Sequence, residues 1–242
     1  MAKSLAILKK EFRQYFDSPV AYIFITVFLV INSWFFFRTF FLAGQASVRP
    51  LFMIIPWLFL FFVPAVTMRL WAEEKKAGTI EVLMTLPVKD WEVAIGKFGA
   101  SLAFLVLTVL MTFTIPVTAA VVADKGVVLD WGPVITSYLG AILLGAAFLA
   151  IGIWVSTLSD NQIIAFILGV SASFVLMIVG ERIVTAFLPS WLSQVAEYLG
   201  LNTHFNSIAR GVIDSRDIVY YISIIGFFLY LAIRSIESRK WR

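Results

Sequence analysis

The sequence predicts an all-α membrane protein with six transmembrane helices, and three observations predict it. Apolar residues make up 61% of the 242 and charged residues only 14%, against about 45–50% and about 25% in soluble domains. Mean hydropathy is +0.93. The apolar residues are gathered into uncharged runs long enough to span a bilayer as helices, and the strand-like alternation of a membrane β-barrel is absent. Other classes fall away quickly. With no cysteines there are no disulfides, thiolate metal sites or cysteine nucleophiles. The one histidine, His204, cannot build a multi-histidine metal centre and reads as an interfacial residue. A net charge of +4 suits anionic headgroups; without a soluble basic domain it does not suit nucleic acid.

Residues 1–17 open the chain. Leu5, Leu8, Phe12 and Phe16 recur at helical spacing, while Lys10, Arg13, Gln14 and Asp17 lie mostly opposite. That pattern predicts an amphipathic helix in the interface plane, with Lys9, Lys10, Phe12 and Phe16 as its working residues. The alternative is a basic terminus that only sets topology. Residues 18–242 form one six-span domain, with spans at about 18–41, 50–70, 98–123, 132–158, 161–184 and 217–236. With the N-terminus inside, thirteen Lys and Arg residues fall on the cytoplasmic side and six on the other. Both chain ends are therefore expected in the cytoplasm.

Within the spans, a few residues stand out. Asn32 and Ser33 in the first span serve either as helix-packing contacts or as path lining. Pro50, Pro56 and Pro64 make the second either a kinked packing helix or a hinge. The fifth carries Gly169 and Ser173 in a small-xxx-small spacing, a candidate dimer interface unless the pair packs inside one subunit. Glu181 and Arg182, at its outer end, are a candidate charged pair, either interfacial or in contact with substrate. Residues 186–215 are too apolar for an ordinary loop. "FLPSWLSQVAEYL" and "THFNSIARGVI" predict short interfacial or re-entrant helices there. Asp217 and Arg234 can snorkel at the ends of the short last span.

The charged insert at 72–97 interrupts this pattern. Ala72 to Lys76 continues the second helix, Gly78 supplies a break, and Thr79 is placed to N-cap a short helix over 80–86. Glu81 falls in that helix's first turn, Pro87 ends it, and Asp90 is placed to cap the next. Ile80, Leu83 and Leu86 form an apolar stripe that either packs back on the bundle or docks on a partner. Local physics leaves both open.

The insert also carries a resemblance. "EEKKAGTIEVLMTLPVKDWEVAIGKF" resembles the cytoplasmic segment of ABC-2 type permeases, with an acid, G-T-x-E-x-L, a proline and then G-K at Glu74, Gly78, Thr79, Glu81, Leu83, Pro87, Gly96 and Lys97. "LKKEFRQYFDSPVAY" and "SIARGVIDSRDIVYY" are similar to that family's N-terminal helix and its approach to the last span. Within the class the sequence looks most like the permeases of gliding motility and of nitrous-oxide-reductase maturation. The resemblance implies a six-span subunit that pairs with a second copy, as a homodimer or pseudo-symmetric pair, in the bacterial inner membrane. It implies two copies of a separate cytoplasmic ATPase and export driven by ATP. The coupling segment would comprise Glu73, Glu74, Gly78, Thr79, Ile80, Glu81, Leu83, Leu86 and Pro87. The rival reading is a non-transporting membrane anchor that passes ATPase motion to an extracytoplasmic auxiliary protein. No G-x-x-x-x-G-K-[ST] phosphate loop occurs in the sequence, nor a G-x-S-x-G or H-E-x-x-H motif. The chain is therefore expected to be no enzyme and to hold no cofactor or metal of its own.

Overall fold

A computed structural model describes residues 2–43, 47–79, 88–122 and 129–238. Among these, every regular element is a helix: α1 (Ala2–Phe16), α2 (Pro19–Ala43), α3 (Arg49–Thr67), α4 (Arg69–Lys76), α5 (Asp90–Met111), α6 (Thr114–Val122), α7 (Trp131–Ser156), α8 (Gln162–Ile178), α9 (Arg182–Thr185), α10 (Ser190–Leu199), α11 (Leu201–Ile208) and α12 (Ser215–Glu237). Five stretches are long and apolar enough to cross a membrane: α2, α3 with α4, α5 with α6, α7, and α12. The remaining apolar helix, α8, has 17 residues. At ~1.5 Å per residue it is a few ångströms short of a ~30 Å hydrocarbon core. It nevertheless joins the two ends of the bundle. Just before it, Asp160 reaches Lys75 of α4 at 3.6 Å, and just after it Gly180 lies against Gly200 and Thr203. The end that gathers α1, α4 and the C-terminus of α12 is called here the termini face, and the other the far face.

The core forms around α7, which packs against α3, α4, α5, α8, α11 and α12. Every residue from Leu144 to Ile153 is buried. Lipid offers no hydrophobic drive for helices to associate, so close backbone approach and dispersion must supply it. α7 is built for that: a Cβ added at Gly145 would lie 2.6 Å from Leu105, and one at Gly152 would lie 2.2 Å from Thr67 Oγ1. Aromatic stacking joins α2 to α3, with Phe28 and Phe59 rings 5.8 Å apart. Asn32 is fully buried in this region, and Ser33 is half-buried.

One span breaks where proline removes a donor, and another runs on through its prolines. The third span was expected to be continuous, but it is interrupted at Thr112 and Phe113. Pro116 cannot bond back to the Thr112 carbonyl, and Ile115 takes it instead at 2.9 Å. Thr112 Oγ1 turns to the Val109 carbonyl and the Tyr138 hydroxyl. By contrast, α3 stays helical through Pro56 and Pro64 and yields only at Met68, whose N–H bonds back to the Pro64 carbonyl at 2.8 Å.

The far face is closed by α9 to α11; α10 and α11 are the short helices expected from the apolar character of 186–215, whereas α9 lies where the fifth span was expected to continue, α8 ending at Ile178. Their anchorage differs from the expected one. His204 is buried, not interfacial. Its Nδ1 meets Asp217 Oδ1 at 2.7 Å, its Nε2–H donates to the Tyr198 carbonyl at 2.9 Å, and its ring stacks on Tyr220 at 3.9 Å. Asp217 is likewise buried rather than snorkelling. The Tyr220 and Tyr221 hydroxyls donate to the Leu199 and Leu201 carbonyls. The carbonyls where α10 hands over to α11 are thus held by the first turns of α12 and by His204. Glu181 and Arg182 are not an ion pair: Glu181 accepts from the Asn202 side-chain amide instead.

Candidate functional site

On the termini face, α1 lies across the first turns of α5, and glycine makes the seat. A Cβ at Gly96 would sit 2.7 Å from Ile7 Cγ2 and 3.1 Å from the Ser4 carbonyl, and one at Gly99 would sit 2.7 Å from Leu8. The "GKFG" of α5 is therefore a notch that Ile7 and Leu8 fill. Tyr15 completes the contact, its ring stacked on Phe104 at 4.9 Å and its hydroxyl 2.9 Å from Ser101 Oγ. Burial pushes the Tyr15 hydroxyl up to about 12. The Arg69 guanidinium lies 4.7 Å from the ring centre, a cation–π contact from the start of α4. The buried face of α1 is not quite the expected one. Leu5 is 66% exposed, whereas Glu11 is buried among the apolar residues. Phe12 and Phe16 are half-buried against the core, and Lys9 and Lys10 face out.

Glu11 is buried because Lys97 meets it. The Lys97 side chain is 2% exposed, and its Nζ lies 3.0 Å from Glu11 Oε1 and 2.7 Å from Glu74 Oε1. It also sits 5.2 Å from the Trp71 ring centre. One cation thus joins three helices: α1 through Glu11, α4 through Glu74, and α5 on which it stands. Taking such charges out of water is costly, and the two short charge-assisted bonds offset that cost only while all three groups are present.

A second fastening holds the root of α4. Ser156 Oγ, at the end of α7, accepts the N–H groups of Trp71 and Ala72 at 3.1 and 3.2 Å and donates to the Met68 carbonyl at 3.1 Å. These are backbone groups left over where α3 gives way to α4. Lys75 donates to the Thr157 carbonyl and faces Asp160. After Lys76 the chain turns at Gly78, with φ of +68°, the left-handed conformation that glycine adopts without cost. The Thr79 hydroxyl donates to the Glu74 carbonyl at 3.2 Å, and the N–H groups it was expected to cap lie outside the described residues. Glu73 is exposed beside it. Ile80, Glu81, Leu83, Leu86 and Pro87 lie outside the described residues. The chain resumes at Val88. There Lys89, not Asp90, is the N-cap of α5, and its N–H donates to Glu92 Oε2 at 3.0 Å.

The expected small-residue contact is used inside the chain. Gly169 faces Pro64 of α3, where a Cβ would meet the proline at 3.2 Å, and Ser173 is fully buried. The other face of α8, with Ile164, Ile167 and Val175, is the exposed one.

A family model described as ABC-2 family transporter protein matches residues 36–209, more than two thirds of the chain. The chain belongs to that ABC-2 transporter family. The matched region runs from the last third of α2 through α11, so it takes in Lys97, Glu74 and the connection at 80–87. A search of curated proteins returned no match. The protein is therefore a multi-pass permease subunit of an ABC transporter. Of the residues singled out in the sequence, Glu74 lies in this clasp with the motif residue Lys97, and motif residue Gly96 lies in the notch. Sequence reasoning missed Glu11, Trp71 and Ser156. The one available signal was an acid at position 11, in helical register with Ile7, Leu8 and Tyr15.

Seating of α1 in the permease can be tested at the notch. Gly96→Val should overpack the α1–α5 contact by roughly 1–3 kcal/mol and free α1. Limited trypsin digestion should then cleave at Lys9, Lys10 and Arg13 well before it does so in the parent protein. Unchanged cleavage would show that Ile7 does not depend on the notch.

Proposed function

We propose that this permease exports a substrate across the bacterial inner membrane, driven by a separate cytoplasmic ATPase that seats against residues 80–87. The termini face would then be cytoplasmic, with six crossings and both chain ends on that side. The observation that supports this most is the anchorage on both sides of the segment. It leaves α4 through the Gly78 turn and enters α5 through the Lys89–Glu92 cap, and Lys97 ties both helices to each other and to α1. Force applied at 80–87 would reach α1, α4 and α5 together. Two permease copies would meet through the exposed faces of α2 and α8, where Val27, Val30 and Trp34 lie on one helix and Ile164, Ile167 and Val175 on the other. Within the family, the overall look of the sequence suggests a place near the gliding-motility and nitrous-oxide-reductase-maturation permeases.

The test is made on the segment itself. Glu81→Lys reverses a charge at the start of the apolar stripe, and Leu83→Asp places a charge on it. An uncompensated charge in a protein contact costs roughly 2–5 kcal/mol, enough to release a modest interface. Co-purification of the ATPase and its permease-stimulated ATP hydrolysis should both fall, while insertion and elution of the permease stay normal. Full recovery of the ATPase with both variants would rule the seat out.

A further inference from the structure

The far face holds a cleft that the transporter reading does not use. It has a volume of about 430 Å³, within the roughly 300–1,000 Å³ typical of small-molecule sites. It lies where two spans begin, with Val48 and Arg49 at the start of α3 and Asp130 and Pro133 at the start of α7. Arg210, which follows α11, forms the third wall. The Gly211 turn, with φ of +93°, holds Arg210 against α7, since a Cβ on Gly211 would meet Pro133 at 3.2 Å. Ser137 Oγ reinforces that wall by donating to the Ala209 carbonyl at 3.3 Å. Phe52, 1% exposed, and Leu129, 5% exposed, complete the apolar part of the lining.

Three charged residues, Arg49, Asp130 and Arg210, line this cleft. Among the described residues no ion pair within 4 Å joins Asp130 to Arg49 or Arg210, and neither arginine is paired with another carboxylate. Asp130 Oδ1 accepts the Gly132 N–H at 3.0 Å, as the N-cap of α7, and Oδ2 makes no hydrogen bond to a described residue. Two arginines on the rim of one cleft, with no ion pair to a carboxylate among the described residues, favour a phosphate, which accepts their planar N–H pairs. A carboxylate on the same rim favours an ammonium beside that phosphate. The depth, at the start of two spans, is that of lipid headgroups.

We propose that this cleft binds a phospholipid whose phosphodiester headgroup carries a primary amine, with Arg49 and Arg210 on the phosphate and Asp130 on the ammonium. The site is separate from the coupling face and stands whether or not residues 80–87 seat an ATPase. It is tested on the full chain, purified in detergent and stripped of lipid, by native mass spectrometry and thermal unfolding with added phosphatidylethanolamine, phosphatidylglycerol or inorganic phosphate. Phosphatidylethanolamine should bind tightest and raise the melting temperature. Arg49→Gln and Arg210→Gln should each weaken it by about tenfold, the loss of one charge-assisted contact, and leave the lipid-free melting temperature unchanged. Asp130→Glu should keep the preference for phosphatidylethanolamine over phosphatidylglycerol, and Asp130→Asn should abolish it. Equal binding of the two lipids by the parent protein would overturn the ammonium contact. Stabilisation by inorganic phosphate as large as by lipid would overturn the lipid assignment, and binding unchanged in both arginine variants would overturn the site.

Discussion

Lys97→Met should detach α1 and α4 from α5 and destabilise the permease by about 3–5 kcal/mol, the usual cost of breaking a buried ion pair by removing one partner. The substitution keeps the length and the apolar stem of the side chain. What it removes is the one cation between Glu11 and Glu74, whose Oε1 atoms now sit 3.0 and 2.7 Å from Nζ. Two carboxylates would then share a partly buried site without a counter-charge. The measurement is the melting temperature of the purified protein, together with tryptic cleavage in α1. The triple variant Lys97→Met, Glu11→Gln, Glu74→Gln should recover most of the loss, because a site emptied of charge avoids the desolvation that the lone carboxylates suffer. A Lys97→Met protein that melts with the parent, or a triple variant as unstable as the single one, would refute the account.

The second large effect is expected at the centre of the bundle. Gly152→Ala places a methyl carbon 2.2 Å from Thr67 Oγ1 and 3.0 Å from Thr67 Cβ. The threonine cannot simply swing away, because its hydroxyl donates to the Val63 and Pro64 carbonyls and its Cβ is branched. Helices α3 and α7 must separate, at a cost of roughly 1–3 kcal/mol or more for an overpacked core. Thr67→Ala in the same chain removes the nearer atom and should return part of that loss. The two substitutions therefore ought to be non-additive in melting temperature. Strict additivity would mean that the two residues do not meet.

How far the sequence revealed this protein depended on how local each cause is. The spans follow from hydropathy alone, and five of the six expected segments appear as helices long and apolar enough to cross; α8 is the shorter one. Gly78 was legible because a glycine after a charged helix end answers to backbone sterics, and it does take a positive φ. The break in the third span was also legible in principle, since Pro116 removes a donor four residues after Thr112, but the apolar run concealed it. The clasp was not legible. Glu11 and Lys97 are 86 residues apart, and nothing in either neighbourhood says that one side chain will neutralise the other. Small residues misled in a similar way. Gly169 and Ser173 announce close packing without naming the partner, which in this chain is α3 rather than a second copy. The denser run from Gly140 to Gly152 was the better guide to the core.

One consequence of the far-face junction is experimental. His204 is the only imidazole in the permease, and it is enclosed by Asp217, Tyr198 and Tyr220 where the last span meets the short helices. Any histidine resonance from isotopically labelled protein therefore comes from this one place and requires no assignment. A reagent that modifies imidazoles has a single target in this sequence, and its rate there should rise if α11 parts from α12. The molecule thus carries its own gauge of the far-face junction, at the opposite end of the bundle from the Lys97 clasp, and can be interrogated at one end while it is perturbed at the other.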